Sequence, residues 1–245
     1  MRTTRVHVDA ALPVGDELVL PDAASAHVLR VLRLRAGAQI TLFNGRGGEH
    51  QCTLLEPVGK SARVRIESHD GIERESGLAT LLLQGISRGE RMDLVVQKAT
   101  ELGVTRIVPV SMEFSVVRLD NAGAERRRAH WRAIAIGACE QSGRNRVPHI
   151  EPPCDLSAAL PMAAAFSSTR LLLNAGATQP LAALPATIAH AAVLIGPEGG
   201  LSDREVRLAE SAGFEARALG PRILRTETAT LTALAVLQAV AGDFR

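Results

Sequence analysis

Ile195-Gly196-Pro197-Glu198-Gly199-Gly200-Leu201, followed at once by Ser202-Asp203-Arg204-Glu205, is the stretch on which the fold turns. The apolar run Ala191–Ile195 ahead of it reads as a buried strand. Ser202 and Glu205 have the spacing of a capping box, in which each side chain satisfies the other residue's free backbone N–H at a helix start. A strand therefore runs into a glycine-rich loop and then into a helix, predicted over Ser202–Ala212. Glycines at the carboxyl end of a strand let a ligand approach the backbone, and open α/β sheets hold their ligands at that edge. The loop is neither Gly-x-Gly-x-x-Gly nor a P-loop, because no Gly-Lys-Ser/Thr follows. Taken alone, it fits a tight strand-to-helix turn equally well.

The same rhythm extends outward. Leu78–Ile86, Thr105–Val110 and Leu171–Leu173 read as strands, and Glu215–Leu219 as a short one. Glu90–Leu102 is predicted as an amphipathic helix with Met92, Val95, Val96, Ala99 and Leu102 on one face and Gly103 as its stop. A second helix over Ala124–Ser142 turns Trp131, Ile134, Ala135 and Ala138 inward. The nearly uncharged Thr228–Val240 forms the last helix, which Thr226 or Thr228 can cap. Alternating elements with unbroken apolar strands mean a largely parallel α/β sheet covered by helices.

Residues 1–70 read differently. Short strands are expected at Arg5–Val8, Glu17–Leu20, Gln39–Phe43, Gln51–Leu55 and Ala62–Ile66, with a hairpin turn at Asn44–Gly48. One helix is expected over Asp22–Leu34, with Val28, Leu29, Val31 and Leu32 apolar. This is the pattern of a small β-barrel. Polar, glycine-flanked His69–Gly77 is the connection, which gives a barrel over 1–70, a linker over 71–77 and an α/β domain over 78–245.

Composition narrows the class. With 46% hydrophobic and 22% charged residues the chain can bury a core and is not a disordered one. Lys60 and Lys98 are the only lysines, so the basic character is Arg, which suits phosphate and base edges but also fits codon bias in a GC-rich genome. A net charge of +2 adds little support for a nucleic-acid partner. Cys52, Cys139 and Cys154 are scattered and odd in number, against a zinc site or disulfide framework, and fit a reducing cytosol. Around His7 and His27 there is no metal-ligand spacing. The first ten residues lack the apolar core of a signal peptide, and Ala229–Ala241 is too short to span a bilayer. A cytoplasmic protein without metal or membrane is the expectation.

A second loop, Leu219-Gly220-Pro221-Arg222-Ile223-Leu224-Arg225-Thr226-Glu227-Thr228-Ala229, crowds two arginines and a carboxylate between apolar residues. A structural salt bridge and an anion-handling ligand loop both fit it. Taken together, the two loops resemble the RsmE family of SPOUT RNA methyltransferases. Gln84–Met92 with Gln97–Val104, Ala138–Arg144 with Pro148, and, nearer the N-terminus, His27, Val31-Leu32-Arg33 and Phe43-Asn44-Gly45 are similar to that family in order and spacing, over nearly the whole chain.

The resemblance implies an N-terminal PUA-like β-barrel and a C-terminal trefoil-knot domain in which the segment around Arg222–Ala229 threads a loop. It implies a homodimer, S-adenosylmethionine as cofactor, and methylation of uridine N3 in small-subunit (16S) ribosomal RNA. The cofactor would lie on Asn174, Gly196, Pro197, Glu198, Gly199, Leu219, Gly220, Ile223, Leu224, Arg225 and Thr226. Arg225 is the first choice to stabilise the uracil anion, with Arg88 and Arg144 as further catalytic or RNA-contacting candidates. Arg2, Arg5, Arg30, Arg33, Arg35 and Arg222 are candidates for RNA contact. Ion pairing with Glu140, Glu198 or Glu227 is the alternative for Arg225, Arg88 and Arg144. Glu198 and Glu227 are both open as general base. With no Tyr and 2% aromatics, base stacking has few candidates beyond Phe43, Phe114 and Trp131, the last of which reads as core. A ribose 2′-O-methyltransferase, a non-catalytic ribosome-assembly factor that binds RNA, and a Rossmann-type enzyme are the competing readings.

Overall fold

The computed structural model describes residues 4–115 and 121–244. They form two compact units. One takes in the described residues up to Glu75 together with Cys139–Val147; the other comprises Ser76–Ala138 and Pro148 onward.

In the first unit β1 (Thr4–His7), β2 (Glu17–Val19), β3 (Gln39–Phe43), β4 (Glu49–Val58) and β5 (Ser61–Asp70) make one sheet in the order β1-β3-β4-β5-β2. β1 runs parallel to β3, and the remaining pairs are antiparallel. Alternation places Ala62, Val64 and Ile66 of β5 inward, where they meet Val6, Ile40, Leu42, Cys52 and Leu54. This is the side-chain period of two that a half-buried strand requires. β5 continues to Asp70, so His69 and Asp70, expected in the linker, are strand.

The helix expected over Asp22–Leu34 is shorter and changes type. α1 spans Asp22–Ala26 and passes into a π-helical turn over His27–Val31, closed by the bond from Leu32 N to His27 O (2.9 Å). The wider turn breaks the 3.6-residue period. Val28 stays buried, but Val31 and Leu32, two of the four apolar residues named for the expected helix, are 69% and 37% exposed. Arg33 follows with φ +53°, which ends the helical path.

Cys139–Val147 is bound into this unit by charge and hydrogen bonding. Glu140 accepts from His7 N (2.9 Å), and Asn145 donates to Ile72 O (2.9 Å). Arg5 donates to Asn145 Oδ1 (2.6 Å), pairs with Glu49 and lies over the Phe43 ring. Arg74 bridges Glu49 (2.9 Å) and Gly143 O (3.0 Å). Burial pushes the Glu49 carboxyl upward, but hydrogen bonds and charge from Arg74 and Arg5 outweigh it and hold the group below its usual range.

The second unit is a parallel sheet with helices. Its strands are β6 (Ala79–Gly85), β7 (Arg106–Ser111), β8 (His149–Ile150), β9 (Cys154–Asp155), β10 (Arg170–Leu173), β11 (His190–Ile195) and β12 (Glu215–Arg217). The order is β12-β10-β11-β6-β7-β8, with β9 also on β7, and every pair is parallel. Leu81, Leu82 and Leu83 are fully buried on successive positions, as both faces of a parallel sheet demand. The helices are α2 (Glu90–Glu101), α3 (Asn121–Ser142), α4 (Leu156–Phe166), α5 (Asp203–Ser211) and α6 (Thr226–Ala241). α4 has no counterpart in the sequence-based expectations. It carries Pro161 inside, yet buries Leu156, Ala159, Leu160 and Ala163 at helical spacing. No helix among the described residues is long and apolar enough to cross a membrane.

Candidate functional site

The carboxyl ends of β10, β11 and β12 open onto one cavity of about 390 Å³. Leu173, Asn174 and Ala175 line it after β10, Ile195–Leu201 after β11, and Leu219, Gly220, Arg222, Ile223 and Leu224 after β12, with Thr226 and Ala229 from α6. The two loops singled out in the sequence thus face each other.

A buried polar knot holds them together. Thr226 Oγ1 donates to Gly196 O (2.7 Å) and accepts from Gln84 Nε2 (3.0 Å). Thr230 Oγ1 donates to Gln84 Oε1 (2.6 Å). Gln84 and Thr230 have no exposed surface, so their polar atoms depend on partners inside the protein. This corrects the capping expectation. Arg225 occupies the N-cap of α6 without a side-chain cap bond, Thr226 is already helical with its hydroxyl aimed back at Gly196, and Thr228 is exposed. Gln84 reaches the knot from β6, where a Cβ on the next residue, Gly85, would stand 2.4 Å from Pro197 N. Only glycine permits that approach of backbone to backbone.

The capping box forms as expected: Ser202 Oγ accepts from Glu205 N (3.3 Å), and Glu205 Oε2 accepts from Ser202 N (2.9 Å). Its other oxygen, Oε1, accepts from Glu113 N (2.8 Å) and so anchors the loop after β7. Glu198 accepts from Arg88 N (3.1 Å) and from Arg91 (2.9 Å). Burial raises the Glu198 carboxyl, but backbone N–H groups and Arg91 more than offset this and hold it below its usual range. Glu198 is therefore an ionised clamp on its own loop.

Of the expected cofactor residues, Asn174, Gly196, Pro197, Glu198, Gly199, Leu219, Gly220, Ile223, Leu224 and Thr226 line the cavity. Arg225 does not; its side chain is exposed at the α6 N-terminus with no bond or ion pair among the described residues. Arg88 is exposed beside the Glu198 loop. Arg144 and Glu75 both belong to the first unit, where the guanidinium is buried on the carboxylate, because a cation 4% exposed needs a paired anion. Arg5 is likewise engaged with Glu49 and Asn145. Arg30, Arg33, Arg35 and Arg222 are exposed, and Arg2 lies outside the described residues. Sequence reasoning missed Gln84 and Thr230 as fasteners, Arg217 in the cavity wall and Arg91 on Glu198. The first two sit in quoted or predicted segments, but only a fold brings them to Thr226.

A cavity of this size is in the range of small-molecule sites, about 300–1,000 Å³. Leu173, Ile195, Leu219 and Leu224 give it apolar walls beside the polar side chains of Asn174, Glu198 and Arg217.

Comparison with known proteins is consistent with this geometry. Residues 74–238 match the family model of the RNA methyltransferase domain, and residues 20–67 that of the RNA methyltransferase PUA domain. The ribosomal RNA small subunit methyltransferase E of Buchnera aphidicola is 31% identical over 99% of this chain and 98% of its own. A protein of Legionella pneumophila solved with bound cofactor SAM superposes with TM-score 0.96 at 41% identity, covering 100% of both chains. The ribosomal RNA small subunit methyltransferase E of Neisseria gonorrhoeae, bound to S-adenosyl methionine, gives 0.91 at 40% identity, again over 100% of both.

Proposed function

The chain belongs to the ribosomal RNA small subunit methyltransferase E family, and from that premise we propose that it methylates N3 of a uridine in 16S ribosomal RNA, giving 3-methyluridine, with S-adenosylmethionine as methyl donor. The observation that carries this reading is the cavity between the Gly196–Leu201 and Leu219–Leu224 loops, fastened by Thr226, Gly196 and Gln84. When bound, the cofactor supplies a sulfonium-activated methyl group.

The protein's own work is to align the nucleophile, exclude water and manage one proton. Uracil N3 is a poor nucleophile until its proton leaves, and the resulting charge spreads to the flanking carbonyl oxygens. Arg225 suits that charge. Its guanidinium is free among the described residues and stands at the N-terminus of a 16-residue helix, where the helix dipole adds positive potential. Glu198 is committed to Arg88 N and Arg91, whereas Glu227 Oε2 is buried without a hydrogen-bond partner among the described residues.

RNA docking falls to Arg30, Arg33 and Arg35 in the first unit and Arg222 at the cavity, through phosphate contacts that position without reading sequence. Arg144 and Arg5 act by holding Cys139–Val147 in place. A second copy of the chain is the natural cover for the apolar groove of Leu102, Leu231, Ala235, Val236 and Ala239, and the working place is the cytoplasm. The test is transfer of labelled methyl from S-adenosylmethionine to small ribosomal subunits and to naked 16S RNA. Label in either supports the reading; label in neither, with cofactor binding absent, removes it.

A further inference from the structure

The chain has five Phe, one Trp and no Tyr. Phe43 and Trp131 are buried, at 0% and 1% exposure. Phe214 is buried as well, and Phe166 packs edge-on against His190. Two rings are exposed: Phe244, at 53%, follows the C-terminal end of α6, where its N–H donates to Gln238 O, whereas Phe114, at 46%, stands against the cofactor-facing loop. A Cβ placed on Gly199 would lie 2.6 Å from Phe114 Cβ and 3.4 Å from its Cγ. Glycine at 199 therefore lets the ring's root pack onto the loop while its face stays in solvent.

The turn Met112–Ser115 that presents the ring is held by hydrogen bonds. Ser115 N donates to Met112 O (3.0 Å), Met112 N donates to Ser115 Oγ (3.1 Å), and Glu113 N donates to Glu205 Oε1 (2.8 Å). Phe114 lines a second, open cavity that shares Leu201 with the first. This cavity is lined by Glu113, Asp155, Asp203 and Glu205, against Arg204 alone. Such a lining repels phosphate, and the exposed carboxylates of Glu113, Asp155 and Asp203 can accept from N–H groups, Glu205 being taken up by Ser202 and Glu113. The moiety that fits is a nucleobase turned away from its backbone.

We infer that Phe114 is the stacking platform for a nucleobase of the RNA substrate in the open cavity beside the Gly199 loop, a binding residue for the proposed reaction. The inference rests on the RNA methyltransferase reading above. Bases drawn out of RNA are commonly held on aromatic faces, and every base has a π-face to offer.

Phe114→Leu keeps the Cβ and Cγ that pack on Gly199 and removes the ring; Phe114→Trp keeps a ring. Loss of one stacked base corresponds to a fall in kcat/KM of about 5- to 150-fold. That fall is expected for Phe114→Leu on small ribosomal subunits, chiefly as a raised KM, while S-adenosylmethionine affinity stays within about twofold and Phe114→Trp retains most activity. Wild-type kinetics in Phe114→Leu overturn the inference, and so does a parallel loss of cofactor affinity, which would make the residue a prop for the Gly199 loop. Phe114→Trp also reports directly, because Trp131 is buried. Its emission is expected to be quenched by a uridine-containing single-stranded oligoribonucleotide and left unchanged by S-adenosylmethionine alone. Absence of quenching overturns the stacking. Failure of the wild-type protein to methylate any RNA would sink the proposed function instead, and quenching then still decides on Phe114.

Discussion

Replacing Thr226 with valine keeps the volume of the side chain and removes the hydroxyl on which the two ligand loops meet. That hydroxyl donates to Gly196 O at 2.7 Å and accepts from Gln84 Nε2 at 3.0 Å. Gln84 Nε2 keeps a bond to Gly85 O (3.1 Å), so its loss is partial. Gly196 O loses the donor that holds its loop to α6. A stranded buried polar group costs about 1–3 kcal/mol, so about 2 kcal/mol is expected for the pair. In a chain of this length that lowers the melting temperature by roughly 4–8 °C. The Gly196–Leu201 loop then has to be ordered by the cofactor, and affinity for S-adenosylmethionine falls by about tenfold, equivalent to about 1.4 kcal/mol. Calorimetric titration and thermal melting measure both. Thr226→Ser, which restores the hydroxyl, recovers most of each loss. A Thr226→Val protein that melts and binds like wild type refutes the fastening role. A serine variant as impaired as the valine one shows that the methyl packing mattered instead.

Arg225→Ala is expected to lower the methyl-transfer rate on small subunits by about 10²–10³, the scale of one lost oxyanion donor. Cofactor affinity should stay within about twofold, and single-turnover rates unchanged from wild type would reject Arg225 as the anion stabiliser. Gly85→Ala puts a Cβ 2.4 Å from Pro197 N, between two backbones that have little room to yield. Overpacking of this kind costs about 1–3 kcal/mol, and titration should show cofactor binding weakened by tenfold or more. Glu49→Gln leaves Arg5, whose side chain is 8% exposed, without its anion, and destabilises the first unit by about 3–5 kcal/mol on denaturant unfolding. Because Glu49 titrates lower in the folded protein than its ordinary 4.5, its contribution is complete above that pH and is lost as pH falls through the folded value. The stability gap between wild type and Glu49→Gln should therefore narrow as pH drops below 4.5, and a constant gap would count against the ion pair.

Much of the site was legible because its signals are local. The Ser202/Glu205 box lies within one helical turn, and the loop glycines follow directly on an apolar strand, so the strand–loop–helix unit is readable from the sequence, while the choice between a plain turn and a ligand edge took the second loop and the family resemblance. Continuous apolar runs such as Leu81–Leu83 likewise announce a parallel sheet. What stayed hidden depends on partners far apart in the chain. Thr226 looks like a cap until Gly196 and Gln84 come within reach of it. Arg144 and Arg5 look available for RNA until Glu75 and Glu49, 69 and 44 residues away, claim them. The π-helical turn at His27–Val31 breaks the period by which apolar faces are read, and α4 carries a proline that ordinarily ends a helix. Phe114 was already one of the few stacking candidates in the sequence; what only the fold adds is its close packing against Gly199.

The central claim is that these loops present a methyl donor to uracil N3. Its most direct test is mass-spectrometric nucleoside analysis of small-subunit ribosomal RNA from a strain lacking this gene, after incubation with the purified protein and S-adenosylmethionine. The account predicts the appearance of 3-methyluridine. A 2′-O-methylated nucleoside in its place, or no methylated nucleoside from either intact subunits or naked RNA, would contradict it.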